Sequence, residues 1–181
     1  MLGVAGCRGS CSRSGLGHRK TRAPTPTVGQ TQTMASIVVS HSGLCVSDIE
    51  ASLRFYIEGL GFELAEGYDV GDEVADTLEV PKGVVLRSQM IVKDGTKLEL
   101  LGWKSPATHG EPSSTRNQLG LTHLSFTVED MPAVEAKLIS LGATVIESTR
   151  THIDMGPSSL DLLFLADPDG IRIELMETII K

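Results

Sequence analysis

The sequence predicts an α+β protein built from two tandem βαβββ modules. Three blocks repeat in the same order along the chain. His41-Ser-Gly-Leu-Cys-Val-Ser-Asp48 aligns with His123-Leu-Ser-Phe-Thr-Val-Glu-Asp130, and Gly59-Leu-Gly-Phe62 aligns with Ser140-Leu-Gly-Ala143. Asp94-Gly-Thr-Lys-Leu-Glu-Leu100 aligns with Asp169-Gly-Ile-Arg-Ile-Glu-Leu175. Collinear blocks of this kind mark a duplicated unit. The modules fall at 36–103 and 120–178, joined by a polar linker at 104–119 and preceded by a tail at 1–34.

Each element follows from local pattern. Residues 123–128 alternate, with Leu124, Phe126 and Val128 on one face, as in a half-buried strand. Asp130 opens a helix with Pro132 in its first turn, where a missing N–H costs nothing. Val134, Leu138 and Leu141 supply its apolar stripe. In the first copy Ser47-x-x-Glu50 reads as a capping box before Ile49, Leu53, Tyr56 and Leu60. Gly61 and Gly142 stop the two helices. Strands follow at 62–69, 84–92 and 96–103, then at 143–151, 159–166 and 171–177, and residues 70–82 suggest a short extra helix. Asp94-Gly95 and Asp169-Gly170 supply turns before the last strands.

Charge divides the chain. Arg8, Arg13, Arg19, Lys20 and Arg22 stand in an acid-free tail, leaving 11 basic and 23 acidic residues in the body. The tail lacks apolar periodicity and is expected to be disordered. The acidic body argues against nucleic-acid binding, and no apolar run reaches the roughly 20 residues of a membrane helix. Cys7, Cys11 and Cys45 form no disulfide framework, and Cys45 is expected as a small buried filler. A cytoplasmic location is expected, with organelle targeting through residues 1–34 as the alternative.

The last strand of each module carries the chemistry. Leu98 and Leu100 point to the core, so Glu99 points away; likewise Ile173 and Leu175 oppose Glu174. His41 and His123 lie on the same outward face, one His and one Glu per module. Pseudo-twofold modules would bring His41, Glu99, His123 and Glu174 together in a cleft. Two imidazoles and two carboxylates suit one divalent ion: Zn, Ni, Co, Mn or Fe.

His-x-Gly-Leu-x-Val-x-Asp-x-Glu-x-Ser-Leu-x-Phe-Tyr at 41–56, the following Leu-Gly-Phe and Asp-Pro-Asp-Gly-Ile-Arg-Ile-Glu-Leu at 167–175 resemble the vicinal oxygen chelate superfamily. That family holds glyoxalase I, methylmalonyl-CoA epimerase, extradiol dioxygenases and the fosfomycin and bleomycin resistance proteins. The resemblance covers about 36–178 and implies an open, cupped mixed sheet around a metal. The family's ligand positions fall on the same four residues.

It also implies a metal-dependent lyase or isomerase of the glyoxalase type, acting on a small molecule with vicinal oxygens. The metal would stabilise an enediolate after a Glu removes a proton, with Glu174 the first candidate base and Glu99 the second. Alternatives are an epimerase of a CoA thioester, an extradiol-type dioxygenase and a non-catalytic ligand-sequestering protein. Trp103, Gln89 and Arg87 are candidate pocket residues, Tyr68 and His152 candidate acid–base helpers, Lys97 and Arg172 solvated flanks, and His109 and Arg116 exposed linker residues. A homodimer is expected; one chain could close its own cleft, or two chains could exchange modules.

Overall fold

A computed structural model describes residues 36–181. The expectations for the tail, including Cys7 and Cys11, lie outside these residues. The first half runs β1 (Ser42–Val46), α1 (Ile49–Arg54) extended by a π turn at Phe55–Gly59, β2 (Glu63–Val70), β3 (Val85–Lys93) and β4 (Thr96–Ser105). The second runs β5 (Leu124–Thr127), α2 (Met131–Ser140), β6 (Thr144–Val145), β7 (Thr151–Asp154), β8 (Ser158–Ala166) and β9 (Arg172–Ile180). The protein is α+β with two mixed sheets. They are ordered β1-β4-β3-β2 and β5-β9-β8-β6, with β7 also paired to β8. Each half thus places its first strand parallel to its last and sets the remaining pairs antiparallel.

Several elements depart from expectation. Asp48, not Ser47, caps α1, its carboxylate accepting from the Glu50 and Ala51 amides at 3.0 and 3.1 Å. Asp130 caps α2 through the Ala133 amide, as its sequence position suggested. Only a 3-10 turn at Asp72–Val74 forms between β2 and β3. Asp72 there accepts from the Gly83 and Val84 amides, which pins the loop shut without a longer helix. The strand expected at 143–151 breaks into β6, a 3-10 turn at Glu147–Thr149 and β7. The Thr149 hydroxyl causes the break, donating to Ile146 O and accepting from Phe164 N in place of a ladder bond. β4 also runs past residue 103 into the expected linker, ending at Ser105.

Core burial follows the alternation. Leu98, Leu100, Ile173 and Leu175 are at most 1% exposed, and they join one cluster with Leu44, Val46, Phe55, Tyr56, Leu138, Leu163 and Leu165. Edge-to-face rings carry that core from one half to the other, from Tyr56 to Phe62 at 6.0 Å and from Phe62 to Phe126 at 6.2 Å. Polar contacts add to the join. The buried Tyr56 hydroxyl donates to Asp167 at 2.9 Å, and the Ser47 amide donates to both Asp169 oxygens at 3.1 Å. Gly61 and Gly142 end the two helices at φ +76° and +101°, a left-handed geometry that glycine adopts without strain. Among the described residues no helix is long and apolar enough to cross a membrane.

Candidate functional site

His41 and His123 each stand one residue before the first strand of their half. Glu99 and Glu174 lie in the first half of the last strands, facing away from the buried leucines and isoleucines. Parallel pairing sets Gly43 opposite Glu99 and Ser125 opposite Glu174. Each histidine is therefore brought beside the carboxylate of its own half. His41 Nε2 lies 3.1 Å from Glu99 Oε2, and His123 Nε2 lies 3.5 Å from Glu174 Oε2. Side-chain exposures match across the halves, at 34% and 17% for the first pair and 32% and 17% for the second. Both pairs are open enough to be reached by a ligand.

The ring orientations are set by hydroxyls. Ser40 Oγ lies 3.0 Å from His41 Nδ1, and Thr122 Oγ1 lies 2.8 Å from His123 Nδ1. With an ion bound, Nδ1–H donating to the hydroxyl would leave Nε2 free as a ligand atom; without one, the other tautomer lets an Nε2–H donate to the glutamate. Sequence reasoning missed both hydroxyls, although the aligned repeat carries one before each histidine. It also missed Ser88, whose hydroxyl donates to Glu99 Oε1. Among the described residues Glu174 has no such partner; Leu162 stands in the equivalent place, two residues before its cross-strand neighbour Phe164.

The donor set fits a divalent ion. Two ligands about 2.1 Å from one ion and roughly 90–110° apart sit about 3.0–3.4 Å from each other, close to both separations. The four residues do not converge, however. Among the described residues no three His, Cys, Asp or Glu side chains form a group able to hold a metal. The expected four-residue cleft is therefore not assembled within one chain, because each pairing brings a histidine only to its own module's glutamate.

The other candidates sort by face. Since Ser88 points at Glu99, its neighbours Arg87 and Gln89 point to the opposite side of β3. The buried Gln89 amide donates to Ala65 O and Glu66 O, filling the bulge in β2 between Leu64 and Gly67. It is a structural residue rather than a pocket residue. Arg87 pairs with Glu50 at 2.6 Å. Trp103 packs on Leu86 and Val84, and with Arg87 it borders an open groove of about 780 Å³. His152 contacts Asp161, which lies on the Leu163 side of β8, away from Phe164 and the Glu174 face. Tyr68 is exposed on β2.

Cys45 is exposed, not buried, because Leu44 and Val46 take the inward positions of β1. Partial desolvation and the nearby Asp169 charge push its thiol up, which leaves it a poor nucleophile. Arg116 is half-buried rather than exposed. Its guanidinium lies over the Phe164 ring, 5.5 Å from the centroid, and donates to Thr122 O and Ser113 O. Burial and the Arg172 charge lower its pKa.

The fold is a pair of like-built modules, each with its own His–Glu pair. Residues 38–175 match the model of the Glyoxalase/Bleomycin resistance protein/Dioxygenase superfamily, and the chain belongs to that family. It is 26% identical over 150 residues to a lactoylglutathione lyase of Pseudomonas aeruginosa, covering 77% of this chain and 82% of that one. It is 30% identical over 140 residues to the uncharacterised protein YaeR of Escherichia coli, covering 77% and 95%. A glyoxalase family protein of Bacillus cereus shares the fold with a TM-score of 0.69 at 20% identity, covering 83% of this chain and 99% of that one. Proteins of this family bind small molecules, typically with a divalent metal.

Proposed function

We propose that the protein is a divalent-metal-dependent lyase or isomerase of the glyoxalase type. The observation that carries this reading is the duplicated His–Glu pair, with matched separation, exposure and a hydroxyl on each Nδ1. His41 and Glu99 of one copy, with His123 and Glu174 of a second, would hold the ion; two chains would then build two sites in a homodimer. A bound ion would act as a Lewis acid toward the adjacent oxygens of a substrate.

The chain's own residues divide the remaining work. Ser40 and Thr122 orient the imidazoles. Ser88 and His41 hold both oxygens of Glu99, so Glu99 is a fixed ligand. Glu174 is held on one oxygen only, by His123. Its carboxylate is free to swing and take a proton from a carbon next to a carbonyl, which makes it the base.

The test is reconstitution of the purified chain with Zn, Ni, Co, Mn or Fe(II), followed by turnover assays on a hemithioacetal, methylmalonyl-CoA and a catechol. Metal-dependent conversion of the hemithioacetal is expected. Activity on the other two alone would reassign the reaction, and metal uptake without turnover of any would leave a ligand-binding protein.

A further inference from the structure

The two half-sites differ in charge. Lys97 and Arg172 occupy equivalent positions, two residues before Glu99 and Glu174 on the same strand face. Lys97 is neutralised by Glu66 at 2.8 Å. Arg172 donates to Gly170 O at 2.8 Å and, among the described residues, makes no ion pair. Among the described residues Arg116 likewise makes no ion pair, donating only to carbonyls. Of the three half-buried arginines among the described residues, Arg87 alone has a carboxylate there. A half-buried cation without a counter-charge is costly. In a body with 23 acids, it is also unexpected.

Placement ties both guanidiniums to the second half-site. Arg116 covers Phe164, whose ring meets that of His123 edge-on at 5.3 Å. Arg172 stands about 7 Å along β9 from Glu174 by strand geometry. Arg172 and His123 line a small cavity of about 100 Å³, together with Ser113 and Thr122, the two residues that moor Arg116. That is the room of roughly three waters at about 30 Å³ each, enough for one oxyanion group and too small for a whole cofactor.

We propose that Arg116 and Arg172 form an oxyanion-binding subsite, so that the substrate carries a carboxylate or phosphoryl group at the end remote from its metal-binding oxygens. A guanidinium has five N–H donors, so Arg116 with two of them on carbonyls and Arg172 with one still have donors for such a group. The proposal rests on the metal-site reading for the position of the rest of the substrate. The subsite itself does not need the metal.

The experiment titrates the metal-free full-length chain with inorganic phosphate and, separately, with acetate at low ionic strength, by calorimetry. Saturable binding of one anion per chain is expected. Arg172→Gln and Arg116→Gln should each weaken it at least tenfold, while Lys97→Gln leaves it unchanged. Arg116→Lys, which keeps the charge and loses the fork, should fall between wild type and Arg116→Gln; thermal melts identify any variant that is unfolded. Tighter acetate assigns a carboxylate, tighter phosphate a phosphoryl group. No saturable binding of either anion, unchanged affinity in folded arginine variants, or binding that appears only after zinc loading would overturn the subsite. Zinc uptake measured on the same preparations reports separately on the metal site, so the two readings fail independently.

Discussion

Glu99 and Glu174 sit on equivalent strands of a duplicated unit, yet their surroundings have diverged. Glu99 is held by His41 and Ser88, and the cation beside it, Lys97, is taken by Glu66. Glu174 is held by His123 alone, next to an aromatic ring and two arginines without carboxylates. The two pairs are equally exposed; they differ in that the carboxylate of one is bonded by a neighbouring serine, while the other has two guanidiniums near it. The difference shows how duplication allows specialisation. Both copies keep the His–Glu pair, and only the first adds a hydroxyl on its carboxylate.

The deepest break removes a ligand from either half. His41→Ala and His123→Ala should each lower zinc affinity by more than the roughly 10–100-fold typical of outer-shell changes, and both should abolish turnover. Equal losses are expected because each removes one of four donors; wild-type metal content in either would defeat the four-ligand reading. The glutamates should separate the halves. Glu174→Gln is expected to keep the fold and some metal while kcat falls by about 10²–10⁴-fold, the span of general-base catalysis. Glu99→Gln should instead show its main loss in metal content. Full activity in Glu174→Gln would reject it as the base.

Ser88→Ala sharpens the contrast further. It releases Glu99 to resemble Glu174 and should cost about 10–100-fold in zinc affinity, read by competition with a chromogenic chelator. At the join between the halves, Tyr56→Phe removes a donor from the buried Asp167 and should cost about 1–3 kcal/mol, measured by urea unfolding.

The smallest effect is one of pH. Burial holds the Asp167 carboxyl above its usual range, against the bonds from Ile171, Tyr56 and Asp169. The folded state therefore binds this proton more tightly than the unfolded chain. Its stabilising contribution is complete below the ordinary carboxylate pKa and is lost as pH rises through the raised value. Asp167→Asn should remove that dependence, with a slope change of at most about 1.4 kcal/mol per pH unit, seen in urea unfolding from acid to neutral pH. An unchanged slope would show that Asp167 does not titrate there.

Much of this was legible in particular residues. Leu98 and Leu100 against Glu99, and Ile173 and Leu175 against Glu174, told which side of each strand is core, because alternation is a property of the extended backbone. Asp130 with Pro132 announced α2. Ser88 was not legible as a partner of Glu99, since that contact depends on cross-strand register. Gln89 was misplaced for the same reason, and the break at Thr149 depends on where its hydroxyl meets Phe164.

The sequence by itself determined the duplicated βαβββ order, the buried faces and the two His–Glu pairs, because periodicity and repetition act over a few residues at a time. Only the tertiary structure decided that each histidine meets its own module's glutamate and not the other pair. It alone laid Arg116 over Phe164 and left Arg172 without the carboxylate that Lys97 has. Those outcomes depend on strand register and on how the linker packs, which are set by contacts between residues far apart in the chain.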